Sequence, residues 1–349
     1  MKTRHLLGSA ALAAVFAFAP LSYAATPAKP DADMQAVLDK LASLGGKPIE
    51  TLTPEEARDQ PTPAEAVAAI LKDQGKPAMD DSVETDDTTY TAADGNTQNA
   101  RIYKPKGAEG PLPVILYIHG GGWVIADIDV YDSSPRALAK MANAIVVSVE
   151  YRKAPEAKFP AAHDDVLAAY QWIVKDAPSW GGDLKKLAIV GESAGGNMAI
   201  DTAIAVRDKK WPVPVHVVAV YPVADTGDTE AKVTYAAAKP LNTPMLDWFF
   251  KNTLASPDQG KDPRLNLVAA DLKGLPPTTI ILAEIDPLHD DGAHLADKLK
   301  TAGVTTDLKE YEGVTHEFFG MGAVVADAAA AETYAADKLK AAFAAAPQN

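Results

Sequence analysis

Apolar positions recur along this chain in two rhythms, and the change from one to the other divides it. Between Asp33 and Leu44, Met34, Val37, Leu38 and Leu41 fall at helical spacing and give one apolar face to an otherwise charged segment. A second amphipathic pattern runs from Pro63 to Leu71. Pro54 and Pro63 follow Thr53 and Thr62, the place where first-turn prolines sit behind capping threonines. From Val83 the period shortens to two: Val83 to Tyr90 and Asn99 to Tyr103 read as an antiparallel pair about the turn Asp94-Gly95-Asn96. Apolar runs then follow at 114–118, 145–149, 187–190, 215–220, 278–283 and 306–311, separated by helical stretches near 134–142, 160–176, 194–207, 290–302 and 325–344. Strands without polar alternation are buried on both faces, so the pattern predicts an α/β fold, a mostly parallel central sheet with helices on both faces. Only Ala224 to Pro276 breaks the rhythm, with its own apolar helix at Leu246 to Leu254. An insertion there, near 225–262, belongs above the strand ends where ligands bind. With the helical segment 25–80 it predicts a two-part cap over a main domain of residues 81–349.

The first 24 residues belong to neither rhythm. Lys2 and Arg4 precede an almost wholly apolar run, Leu6 to Pro20, and Ser22-Tyr23-Ala24 offers small residues at a cleavage site. This predicts a secretory signal peptide cut after Ala24, and hence a periplasmic or secreted product. The apolar stretch is short for a membrane anchor, nothing elsewhere reaches spanning length, and no cysteine is available for lipid attachment. Composition is that of a globular protein, 47% hydrophobic and 23% charged. The formal charge is -14, and removing Lys2 and Arg4 leaves the product more acidic still. Such a surface argues against nucleic acid and against anionic lipid. Zero cysteines exclude disulfides, thiol catalysis and thiolate metal sites.

Two glycine-rich stretches carry the chemistry. Gly191-Glu192-Ser193-Ala194-Gly195 follows the apolar run Leu187 to Val190 and opens a helical stretch. A serine in G-x-S-x-G between strand and helix sits on a sharp turn, its hydroxyl pushed out beside helix N-terminal amides. His119-Gly120-Gly121-Gly122-Trp123 follows another apolar strand, and consecutive glycines let backbone N–H groups approach an oxyanion. Together they fit a hydrolase with Ser193 as nucleophile.

In this arrangement acid and base follow the serine along the chain. Of the four later histidines, His216 lies inside a buried strand, and His289 and His294 open a helix. His316, after the last strand and before the C-terminal helix, is the expected base. The acid should emerge from the strand ending at Ala283, which leaves Glu284, Asp286, Asp290 and Asp291. Asp286 is preferred because it comes just past the strand and Pro287 pins its loop, whereas Asp290 and Asp291 read as helix-start acids favoured by the dipole. His289 and His294, five apart, do not share a helix face, so no metal site is expected.

From about residue 80 onward the chain resembles the bacterial esterases of the hormone-sensitive lipase family, a branch of the α/β-hydrolases. The resemblance rests on His119 to Trp123, Tyr151-Arg152-Lys153-Ala154-Pro155-Glu156, Gly191 to Gly196, Asp286-Pro287-Leu288 and His316. It implies hydrolysis of carboxylic esters without cofactors by Ser193, Asp286 and His316, with Gly121, Gly122 and Ala194 as oxyanion donors. Three residues depart from the family's usual ones: Glu192 in place of Asp, Lys153 in place of Leu, and Glu317 where Gly often follows the histidine. The acidic cap segments carry no long apolar lid, so soluble esters of short to medium acids are the expected small-molecule substrates. An amidase or peptidase on the same triad, and a non-catalytic ligand-binding member of the fold, are the alternatives.

Overall fold

A computed structural model describes residues 27 to 347. The expected signal peptide, residues 1 to 24, lies outside the described residues. Among these, eight strands form one sheet: β1 (Val83–Thr91), β2 (Thr97–Pro105), β3 (Leu112–Ile118), β4 (Ile145–Val149), β5 (Gly182–Glu192), β6 (His216–Val220), β7 (Thr278–Ile285) and β8 (Thr306–Thr315). Their order is β1-β2-β4-β3-β5-β6-β7-β8. The β1–β2 and β2–β4 pairs are antiparallel and the rest parallel. β3 shows why the apolar runs lack alternation. Val114, Leu116 and Ile118 pack into one core layer, Ile115 and Tyr117 into the other, and all five are fully buried. Truncating such a residue, for example Leu116→Ala, costs about 2–5 kcal/mol.

Helices cover both faces. Before the sheet come α1 (Ala32–Ser43), α2 (Pro54–Arg58) and α3 (Pro63–Asp73), and between strands α4 (Ser133–Ala142), α5 (Ala161–Asp176) and α6 (Ala194–Lys209). Beyond β6 lie α7 (Glu230–Thr234), α8 (Thr243–Thr253), α9 (His289–Thr301) and α10 (Ala326–Ala345). Thr53 and Thr62 each close a capping box, with Glu56 and Glu65 reaching back to the cap amides. Met34 and Val37 of α1 bury in the layer that holds Val314 and Leu339. The N-terminal segment is tied down by the Asp31 amide donating to the Gly313 carbonyl at 2.8 Å.

Two strands run further than their apolar runs. β5 starts at Gly182, because the edge of β3 pairs with it through an irregularity at Pro113/Val114. β8 continues to Thr315, so His316 follows the strand directly instead of lying some residues into a loop. The short α7 has no apolar periodicity to announce it. Thr229 caps it, and Asp290 accepts the Ala231 amide at 2.8 Å.

Candidate active site

Ser193 occupies the single residue between the end of β5 and the start of α6, with φ 55° and ψ -118°. The turn leaves no room for side chains beneath it: a Cβ on Gly195 would lie 2.1 Å from the Ile118 carbonyl oxygen. The Ser193 amide is held by the Val220 carbonyl at 2.9 Å, which anchors the turn to β6. The strained conformation is thereby imposed by packing on three strands.

Parallel pairing of β7 and β8 sets Ile285 opposite Thr315, and the next residue on each strand is Asp286 and His316. His316 Nδ1 lies 2.6 Å from Asp286 Oδ2, and Nε2 lies 3.0 Å from Ser193 Oγ. With Nδ1–H donating to the carboxylate, Nε2 is left to accept from the serine hydroxyl. Asp286 is itself oriented by the Leu288 amide, which donates to Oδ1 at 2.8 Å. The Tyr221 ring covers the imidazole, 4.4 Å between centroids. Burial pulls the His316 pKa down, but Asp286, by charge and hydrogen bond, with Glu317 and Glu192 behind it, more than offsets this and leaves it above the ordinary value.

The residues passed over as acid or base have other partners. Glu284 accepts the Gly313 amide, Asp290 the Ala231 amide, and Asp291 the amides of Ala224 and Asp225. The contacts of Asp290 and Asp291 fasten the start of the inserted segment to α9. His216 meets Thr279 Oγ1 at 2.9 Å, His289 lies between Asp290 and Glu310, and His294 faces Asp225. Among the described residues no group of three His, Cys, Asp or Glu is arranged to hold a metal ion.

The glycine loop is fixed from below by the Tyr151 hydroxyl, which lies 2.8 Å from the Gly120 carbonyl oxygen and 3.1 Å from that of His119. A Cβ on Gly122 would lie 2.3 Å from the Phe249 ring, so α8 rests directly on the loop. Among the described residues the amides of Gly121, Gly122 and Ala194 donate to no protein acceptor. Gly121, Gly122, Ser193 and His316 face one cavity of about 470 Å³. Met245, Leu246, Phe249 and Phe250 of α8 form part of its wall. Trp248 does not: its indole N–H donates to the Leu52 carbonyl at 3.0 Å, so it joins the insertion to the N-terminal segment.

Two acidic residues at the site had no functional reading from their motifs. Glu192 is fully buried and hydrogen-bonded by Tyr117 and Tyr221. Burial, opposed by those two hydroxyls, pushes its carboxyl up to about 8. Glu317 takes φ 68°, the left-handed conformation that favours glycine. It lies in the cavity wall, where it receives the Tyr131 hydroxyl at 2.7 Å. Lys153 also borders the cavity and pairs with Glu150 at 3.1 Å.

The strand order, and the place of the serine in it, define an α/β-hydrolase. Residues 115–320 match a family described as having the alpha/beta hydrolase fold. The ethyl acetate hydrolase of Pseudomonas putida is 35% identical over 80% of this chain and 88% of its own. Carboxylesterase NlhH of Mycobacterium tuberculosis is 39% identical over 66% of this chain and 74% of its own. A crystal structure of a thermostable esterase from Pseudomonas putida superposes with a TM-score of 0.80 at 31% identity, covering 90% of this chain and 98% of that one. This chain belongs to the hormone-sensitive-lipase-like branch of the α/β-hydrolase family.

Proposed function

We propose that this carboxylic ester hydrolase acts on soluble esters of short to medium acids, through an acyl-enzyme formed on Ser193. The hydrogen-bonded line Ser193–His316–Asp286, with Ser193 and His316 on the cavity wall, carries this reading. As Ser193 Oγ attacks the ester carbonyl, its proton passes to His316 Nε2, and Asp286 stabilises the imidazolium that forms. The amides of Gly121, Gly122 and Ala194 take the negative oxygen; losing one such donor typically costs ~10²–10³ in rate. His316 then returns the proton to the leaving alcohol. Water, deprotonated by the same nitrogen, releases the acid and restores the serine.

Substrate size follows from the cap, read as the segment 25–80 together with the insertion near 225–262. The large exposed hydrophobic residues among those described, Leu44, Met79, Val213, Val233 and Leu308, are few and far apart in the chain, which supports a surface without a broad adsorbing face. The apolar wall of α8 accepts an acyl chain, each buried methylene adding about 0.8 kcal/mol while room lasts. A nitrophenyl ester series should therefore give kcat/KM rising over the first carbons and then falling. A jump in rate once a long-chain triglyceride exceeds its solubility would overturn the soluble-ester reading. Organophosphate treatment should place one adduct on the Ser193 peptide, and Ser193→Ala activity near wild type would contradict the mechanism. The basic start and apolar run of residues 2 to 20 support export of the enzyme.

A further inference from the structure

Glu317 borders the cavity beside His316. Its Oε1 is 3.7 Å from His316 Nε2, the nitrogen that returns the proton to the alcohol oxygen, and its side chain keeps 22% of its surface exposed. The oxygen receiving that proton is ~3 Å from Nε2, so the carboxylate falls within a few ångströms of the alcohol's first carbons. The left-handed backbone at Glu317 and the Tyr131 hydroxyl together hold the carboxylate there.

The charges around it do not cancel it. Lys153 and Arg58 also border the cavity, but Lys153 pairs with Glu150. Arg58 is bound through both terminal nitrogens by Glu156, at 2.7 and 2.8 Å, and by the carbonyls of Val124 and Ala154. Lys47 and Lys239 border the cavity as well, yet both are exposed. Among the described residues that border the cavity, each lysine and arginine is thus either paired with another carboxylate or exposed, in a protein whose formal charge is -14.

We propose that Glu317 is a specificity-determining residue that favours esters whose alcohol carries an ammonium group one or two carbons beyond the ester oxygen. An ammonium two carbons out lies ~3–4 Å from that oxygen, which brings it within reach of the carboxylate. The hydrolysis is the one already described, so the inference rests on that reading and adds only the choice of leaving group.

The test compares choline butyrate with 3,3-dimethylbutyl butyrate, which has the same shape and no charge. The wild-type ratio of kcat/KM, charged over neutral, should be about 10, equivalent to ~1.4 kcal/mol. Glu317→Gln should bring the ratio near one whatever it does to the absolute rate, and Glu317→Asp should keep it well above one. Raising the salt should shrink the wild-type ratio as screening grows. A wild-type ratio of one or below, or a ratio unmoved in Glu317→Gln, overturns the assignment. Turnover of the neutral ester reports separately on the esterase reading: if it is hydrolysed while the ratio is one, only the charge preference has failed. If neither ester is hydrolysed, both have.

Discussion

Glu192 offers a direct test of how the structure treats a carboxyl beside the nucleophile. It has no exposure to solvent and meets the Tyr117 and Tyr221 hydroxyls, so the folded protein holds the proton until about pH 8, against 4.5 for the free group. The unfolded chain therefore ionises first as pH rises. Below about 4.5 both states are protonated and the group has no pH effect. Between 4.5 and about 8 the unfolded state releases the proton and the folded state keeps it, so stability falls with pH; above about 8 it levels. At about 1.36 kcal/mol per unit, the whole window represents at most about 5 kcal/mol. Glu192→Gln removes this dependence and keeps the contacts, because the amide oxygen accepts from one tyrosine and the NH₂ donates to the other. Urea unfolding of both proteins at pH 5 and pH 8 isolates the term. Asp201 and Glu332, whose carboxyls burial also raises to about 7, are present in both proteins and drop out of the difference. Wild type should lose at least about 2 kcal/mol more than Glu192→Gln between the two pH values, and the variant should be the more stable at pH 8. Parallel losses in the two proteins would refute the reasoning.

Three further outcomes are expected. Asp286→Asn should fold and lose turnover by ~10⁴-fold, with Asp290→Asn near wild type, since Asp286 and not Asp290 meets the imidazole; the reverse result in steady-state kinetics would move the acid by four residues. Because the His316 pKa is raised and only the neutral ring accepts the serine proton, activity should fall as pH drops, with a midpoint above the ordinary histidine value of 6.5. A kcat/KM profile flat from about pH 8 to about pH 5 would exclude a histidine base. The proposed cleavage after Ala24 should yield a product that begins at Ala25 by N-terminal sequencing, and a product retaining Met1 would refute a signal peptide.

What the amino-acid sequence settles by itself is whatever depends on neighbours along the chain. Short apolar runs without alternation, set between helical stretches, read as strands buried on both faces, and residues 114–118 behave so. The turn at Ser193 is legible for the same reason, since a Cβ on Gly191 would lie 2.1 Å from the carbonyl oxygen of Gly195, four residues on. The threonines at 53 and 62 cap their helices through a glutamate three residues on. The site's finer chemistry is different in kind. That Asp286 and not Asp290 meets His316 depends on the register of β7 against β8, which pairs Ile285 with Thr315. Trp248 turns from the cavity to the Leu52 carbonyl, a partner 196 residues away in the chain. Glu192 and Glu317 read in the motif as departures from a family's usual residues, and their consequences arise from side chains brought in by other strands and loops: Tyr117 and Tyr221 around one, Tyr131 and His316 around the other. A carboxyl's charge state and reach depend on burial and on partners distant in sequence, so only the assembled tertiary structure could decide them.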